Sequence, residues 1–434
     1  MKRLSLDNIS PYENCEVRRI WWLNIGCERY WSNSGMAIPE IKGNHEVYLV
    51  QSMETLLFLT ARSNDIVILS KEPEYGIVEE LTRYRGETPR IEILEEDNHH
   101  KFISERIYHN KRMMKLLYDL PDKDHWILMP FGVTKFDVDI EQAAGIPLFM
   151  TDNVNLISAV NSKIYARKMS QESGFSTLEG YICKNAEEIE SCIENFHKEE
   201  GFVPCVIKEP YSASGKGLFW LQNQDRARQF IRFFKKRCIG ECILEEWCQV
   251  KYDLNYQLYI TKEGDIFRSP LKRQFVKNGV YEGGCDIADE AVLSGDKIYE
   301  CVNKIGHKLY CSGYWGILSI DAIMDVEDNF IPVIEINGRL SLSSYFTLAE
   351  IQGAADGVEK CYKYYNILPN ISLRLLQEIL TPFLYREGTG VIVCSYYEGK
   401  DTGENGRLFL LYLVEDLNRI GMIERVLKAY IVSI

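Results

Sequence analysis

A lysine inside a short apolar run and the glycine- and serine-rich loop after it are the first residues in this chain with obvious chemical capacity. Lys208 lies in VPCVIKE (Val203–Glu209), and PYSASGKGLFWL (Pro210–Leu221) follows with Ser212, Ser214, Gly215, Lys216 and Gly217. A charge among apolar neighbours is costly unless an anion partners it. Backbone N–H groups of such a loop can donate to phosphate oxygens. A lysine on the wet face of an edge strand, with a plain turn behind it, fits the same residues. The loop is not a Walker A loop, because Pro210 stands where that pattern opens on glycine and Gly217 where it needs Ser or Thr. The runs CVIKE and LFWL predict instead two strands of a hairpin flap, with Lys208 the phosphate ligand and Lys216 a position on the lid.

Carboxylates further along change the weight of that reading. In NFIPVIEINGR (Asn329–Arg339), Glu335 and Asn337 are two apart, so on a strand both emerge on one face. Asp321 sits in the earlier run GILSIDAIM, and two adjacent antiparallel strands would bring it beside Glu335. Two carboxylates and an amide oxygen suit a hard, oxygen-seeking ion such as Mg²⁺. An ExN pair on a strand is also a common solvated face. A third stretch, ILEEWCQVKYD (Ile243–Asp253), ends an apolar strand in Glu245, Glu246, Trp247 and Cys248 and runs on to Asp253. Such a hinge can offer backbone groups to a base and a carboxylate to a ribose, or be an ordinary charged strand exit.

These groups must be carried by regular elements. Arg19–Gly26, His45–Gln51, Asp65–Ser70 and His125–Pro130 read as strands, with helical periodicity over Met53–Arg62 and Glu105–Tyr118. Alternating strands and helices predict a mostly parallel α/β domain over 1–155. A helix over Ser158–Gly174, carrying Asn161, Lys163 and Arg167, opens an α+β unit over 156–250. A second unit, 251–365, ends in the strands that carry Asp321 and Glu335. Residues 366–434 read as a small α+β extension of helix, two strands and helix.

Composition bounds the function. With 50 Lys+Arg against 63 Asp+Glu the net charge is −13, which argues against a dedicated nucleic-acid binder. The 13 cysteines contain no CxxC pair and read as unpaired thiols of a reducing compartment. No signal peptide and no long apolar span is evident, so the expectation is a cytoplasmic protein that meets neither membrane nor nucleic acid.

Asn161-Ser162-Lys163, VIKEP with Lys208, the SASGKG flap, LEEW, Asp321 and EINGR together, in this order, resemble the ATP-grasp superfamily over about 155–365, notably its carboxylate–amine and peptide ligases. The resemblance implies ATP and two Mg²⁺ ions, with Mn²⁺ as substitute. It implies that Lys163 and Lys208 contact the phosphates and that Ser212–Gly217 close over them. Glu245, Glu246, Trp247 and Cys248 would read adenine, and Asp253 the ribose. Asp321, Glu335 and Asn337 would hold the metals. Arg339, Arg273 or Lys272 would stabilise the reacting acyl group. Gly338 departs from the family's usual proline and Asp253 from its usual glutamate. The implied reaction is amide or peptide bond formation between a small carboxylate, such as an amino acid, and an amine, through an acyl phosphate, in a protein that is often a homodimer. A small-molecule kinase of the same fold and a non-catalytic nucleotide binder are the alternatives.

Overall fold

The structure is a computed structural model describing residues 2–12, 16–31, 44–95, 102–198, 201–211, 217–235, 240–277, 280–287, 292, 295–399 and 404–432. Ser212, Ser214, Gly215 and Lys216 of the expected flap lie outside the described residues, as do Asn98-His99-His100 and Cys238.

The N-terminal domain is a parallel sheet of β1 (Arg18–Trp22), β2 (Ile66–Leu69), β3 (Arg90–Ile93) and β4 (Trp126–Pro130), ordered β3-β2-β1-β4. Its central strands are apolar on both faces because helices cover both, and Trp21 and Trp22 are core. The helices are α1 (Asn44–Met53), α2 (Tyr75–Arg85), α3 (Ile103–His109), α4 (Lys111–Tyr118) and α5 (Lys135–Ala144). The expected strand His45–Gln51 is therefore wrong: it belongs to α1. So short an apolar run carries no decisive period, and here it packs as a helix against the 3-10 turn Glu54–Leu59. That turn is all that forms of the helix expected over Met53–Arg62. Asn110 accepts a hydrogen bond from the Met113 backbone N–H at 2.9 Å and caps α4, which splits the helix expected over Glu105–Tyr118.

A similar break at Asn161-Ser162 divides the next expected helix into α6 (Val154–Val160) and α7 (Lys163–Glu172). The first lobe follows as an antiparallel sheet of β5 (Gly180–Cys183), β6 (Cys205–Lys208), β7 (Leu218–Leu221) and β8 (Cys242–Glu246), ordered β7-β6-β8-β5. Ile207 and Leu244 face α8 (Ala186–Ile193) and α9 (Gln224–Lys235) in its core. Alternation then turns Lys208, Leu218 and Ile243, which are register partners, to the other face.

The second lobe is built on β9 (Val250–Ile260), β10 (Ile266–Arg268), β11 (Leu271–Lys277) and β12 (Val280–Ile287), then α10 (Gly295–Cys311), β13 (Gly316–Asp325), β14 (Phe330–Asn337) and α11 (Leu342–Leu348). β9 pairs with β13 on one side and with β10 and β11 on the other. The sheet does not stop at the lobe. β15 (Glu359–Ile367) joins β12, and after α12 (Leu373–Leu380) the strands β16 (Gly390–Tyr397) and β17 (Gly406–Val414) extend it before α13 (Asn418–Leu427). β16 also packs on α1 and α2, with Thr55 Oγ1 donating to Cys394 O at 2.7 Å, so the C-terminal strands tie the N-terminal domain to the second lobe.

The reading of all cysteines as unpaired is corrected at one place. Cys285 of β12 and Cys361 of β15 are direct register partners and form a disulfide across a sequence separation of 76. No spacing motif marks that pair; strand register alone brings it together. Among the described residues no helix is long and apolar enough to cross a membrane.

Candidate active site

β13 and β14 place Asp321 directly opposite Glu335, and Ser319 opposite Asn337. The expected juxtaposition of the two carboxylates is what the register produces. Asp321 Oδ1 accepts from Asn255 Nδ2 and from Gln274 Nε2, each at 2.9 Å, and Asn337 Nδ2 lies 3.4 Å from Oδ2. Burial, and then the charge of Glu335, raise the Asp321 carboxyl to about 6 against the pull of the two amide donors. Glu335 has a cation beside it: Lys163, the first residue of α7, donates from Nζ to Oε1 at 2.8 Å.

Lys163 also anchors the helix start to the flap strand, since its backbone N–H donates to Pro210 O at 3.0 Å. One turn along α7, Arg167 donates to Glu245 at 2.6 Å and to Gly180 O at 2.6 Å. Lys208 reaches the other oxygen of Glu245 at 2.5 Å. Lys163, Arg167 and Lys208 thus bring three cations to one side of the cleft, with Glu245 and Glu335 as their anions. Glu245 is buried in these pairs, whereas Glu246 is half-buried at the end of β8 with its backbone N–H on Glu179 O at 2.9 Å. The Trp247 ring packs on that of Trp220 with centroids 3.5 Å apart. Cys248 lies just beyond, and Asp253 is half-buried on β9, its carboxyl raised by burial.

Arg339 follows β14 and reaches the N-terminal domain. Nη2 lies 3.1 Å from Asn337 Oδ1 and 2.9 Å from Glu28 Oε1, Nη1 donates to Leu340 O at 3.0 Å, and the guanidinium stands 4.9 Å from the centre of the Phe131 ring. Glu28 and Phe131 follow β1 and β4, between which the strand order reverses; open α/β sheets bind ligands at such points. Asn24 and Gly132 tie the two loops together by hydrogen bonds of 2.7 and 2.9 Å. Gly132 must be small, since a Cβ there would lie 2.6 Å from Cys27 Sγ. The departure at Gly338 has a local reason as well: its N–H donates to Asn161 Oδ1 at 3.0 Å, a bond proline cannot make.

Of the other two cations named for acyl chemistry, Lys272 is the register partner of Asn255 and shares the sheet face of Asp321, whereas Arg273 does not. Lys272 is 1% exposed, hydrogen-bonded to Thr347 Oγ1 and 3.6 Å from Asp286. Arg273 points to the opposite face of β11, with its guanidinium 5.2 Å from the Tyr252 ring centre. Alternation gives the site Gln274 instead. Glu28, Asn255, Arg167 and Gln274 are the site residues that sequence reasoning gave no role. Arg167 alone carried a signal, lying one helical turn from Lys163.

Two opposed carboxylates and an asparagine are an oxygen donor set, and a divalent cation would offset the burial and the Glu335 charge that raise the Asp321 carboxyl. The residues therefore fit Mg²⁺. Asn337 would have to turn its amide, because its oxygen now faces Arg339.

The ATP-grasp domain family matches residues 168–353. The [butirosin acyl-carrier protein]–L-glutamate ligase of Niallia circulans is 28% identical over 329 residues, 75% of this chain and 73% of that protein. Among solved structures, biotin carboxylase from Campylobacter jejuni superposes with a TM-score of 0.58 at 13% identity, covering 96% of this chain and 92% of that one. N5-carboxyaminoimidazole synthetase from Staphylococcus aureus in complex with ADP gives 0.55 at 11% identity, covering 96% and 100%. Both are likenesses of fold. The family match takes in Lys208 and the opposed carboxylates Asp321 and Glu335, and this part of the chain is an ATP-grasp domain.

Proposed function

We propose that this protein is an ATP-dependent ligase that activates a small carboxylate as an acyl phosphate and joins it to an amine, releasing ADP and phosphate. The observation that carries the reading is the contact of Lys163 with Glu335, where the phosphate-side cations meet the metal-side carboxylates. Phosphoryl transfer needs mainly alignment and charge neutralisation. Lys163 and Lys208 would hold the ATP phosphates, with Arg167 positioned through Glu245. Asp321, Glu335 and Asn337 would hold Mg²⁺, two ions in this reading, which supplies charge neutralisation on the transferring oxygens. Arg339, aimed between the lobes and the N-terminal domain, would bind the substrate carboxylate and then stabilise the oxyanion formed when the nucleophile attacks. Adenine would lie by Glu246, Trp247 and Cys248, with Asp253 toward the ribose.

The butirosin relative is a ligase of an acyl-carrier protein and L-glutamate. That likeness favours an amino acid as the carboxylate here, and it supports a carrier-protein thiol as a second acceptor reading beside the amine.

The test is a screen of amino acids and dipeptides for ATP-dependent ADP and phosphate release, with hydroxylamine present to trap an acyl phosphate as the hydroxamate. Hydroxamate from one carboxylate supports the ligase. ADP formed without free phosphate, with a phosphorylated alcohol as product, would make the protein a kinase. An amide or a carrier-bound thioester in the untrapped reaction then decides the acceptor.

A further inference from the structure

Lys272 shares the face of the second-lobe sheet that presents Asp321, but the side chains of β9 and β11 that donate to the Asp321 carboxylate are neutral amides. Asn255 on β9 is the direct register partner of Asp321, and Gln274 on β11 comes from the next strand over. Both donate to the same oxygen, Oδ1, at 2.9 Å. The orientation of the Asn255 amide follows from its neighbours. Its NH₂ faces Ser319 Oγ at 2.8 Å and Ile320 O at 3.2 Å as well as the carboxylate, and its oxygen faces the Ser343 hydroxyl at 3.4 Å. Turned over, it would set its oxygen against a carbonyl and a carboxylate.

Two donors arriving from two different strands fix the plane of the Asp321 carboxylate. They occupy Oδ1, while Oδ2 accepts the longer hydrogen bond from Asn337 Nδ2 at 3.4 Å. Glu335 is held differently, by the ammonium of Lys163. An ammonium orients a carboxylate but cancels its charge, whereas an amide orients it and leaves the charge in place for a cation.

We propose that Asn255 and Gln274 are positioning residues for the metal site. They reserve Oδ1 of Asp321 for protein donors and present Oδ2, with its charge intact, as the single oxygen that Asp321 offers to a divalent ion. This rests on the reading of Asp321 as a metal ligand.

The test measures Mn²⁺ affinity by the loss of free-ion electron paramagnetic resonance signal, on the full chain with ADP bound. The variants are Gln274→Ala, Asn255→Ala and Asp321→Ala, with metal-free ADP affinity and the thermal melt as controls. Gln274→Ala is expected to weaken Mn²⁺ binding by about 10- to 100-fold with ADP affinity and melt unchanged, and Asn255→Ala by at least as much. Gln274 is half-buried at the cleft, so its variant gives an answer even if Asn255→Ala does not fold. Parent Mn²⁺ affinity in Gln274→Ala, with Asp321→Ala abolishing binding, would overturn the positioning role and leave the metal reading standing. Parent affinity in Asp321→Ala would overturn both.

Discussion

Arg339 and Glu28 face each other at 2.9 Å across the junction between the second lobe and the N-terminal domain. The contact joins Arg339, two residues beyond β14, to the segment after β1 at the switch point of the parallel sheet.

Arg339→Ala should lower acyl-phosphate formation by about 10²- to 10³-fold, as loss of an oxyanion donor does, with ATP affinity nearly unchanged. Glu28→Gln should cost less, because Asn337 and Leu340 O still hold the guanidinium. Single-turnover hydroxamate trapping beside ATP titration checks both, and equal losses in the two variants would contradict the ranking.

Lys208→Ala should raise the dissociation constant for ATP by about 10-fold or more, through loss of a charge-assisted phosphate contact. Arg167→Ala should act on the fold without that loss of affinity, whereas Lys208→Ala shares the stability cost because Lys208 also pairs with Glu245. Either change leaves Glu245 buried with one cation fewer, and breaking a buried pair costs about 3 kcal/mol or more. Calorimetry with ATP and urea unfolding separate the two effects.

Asp137 supplies a pH signature in the N-terminal domain. It accepts from Ser104, Thr134, Trp22 and Asn24, yet burial still pushes its carboxyl up to about 6. The folded state therefore holds the proton more tightly than the unfolded chain. Stability contributed by this group is highest below the ordinary value of 3.8 and declines as pH rises to about 6. Asp137→Asn should flatten that part of the urea-midpoint profile while lowering stability overall, since an NH₂ would then face donors. An unchanged slope between roughly pH 4 and 6 would be the contrary result.

Cys361→Ser, or reduction of the wild type, should lower stability by about 4 kcal/mol in the chain-entropy account of a long closed loop. The N-terminal domain contacts of β16 make this an effect on the whole assembly. Unfolding with and without reductant measures it, and coincident curves with the disulfide shown by mass spectrometry to be intact in one sample and reduced in the other would refute it.

Much of the site was legible from the chain alone. The period of two put Glu335 and Asn337 on one face, and the apolar context of Lys208 asked for an anion. These are local properties, and neighbouring positions along one strand determine them. The order of weak motifs then named the superfamily. What the sequence did not contain was which strands would be neighbours. Register between β13 and β14 set Asp321 against Glu335, and β9 and β11 supplied Asn255 and Gln274 rather than Arg273. Glu28 joined the site because a parallel sheet reverses its strand order beside it, and Cys285 met Cys361 by strand pairing over a separation of 76. The segment 44–53 became a helix because tertiary packing decided where an ambiguous apolar run would lie. The sequence by itself determined which residues could hold phosphate and metal, since side-chain chemistry and strand alternation are local. Only the tertiary structure decided what stands beside each of them, because long-range pairing leaves no mark in spacing.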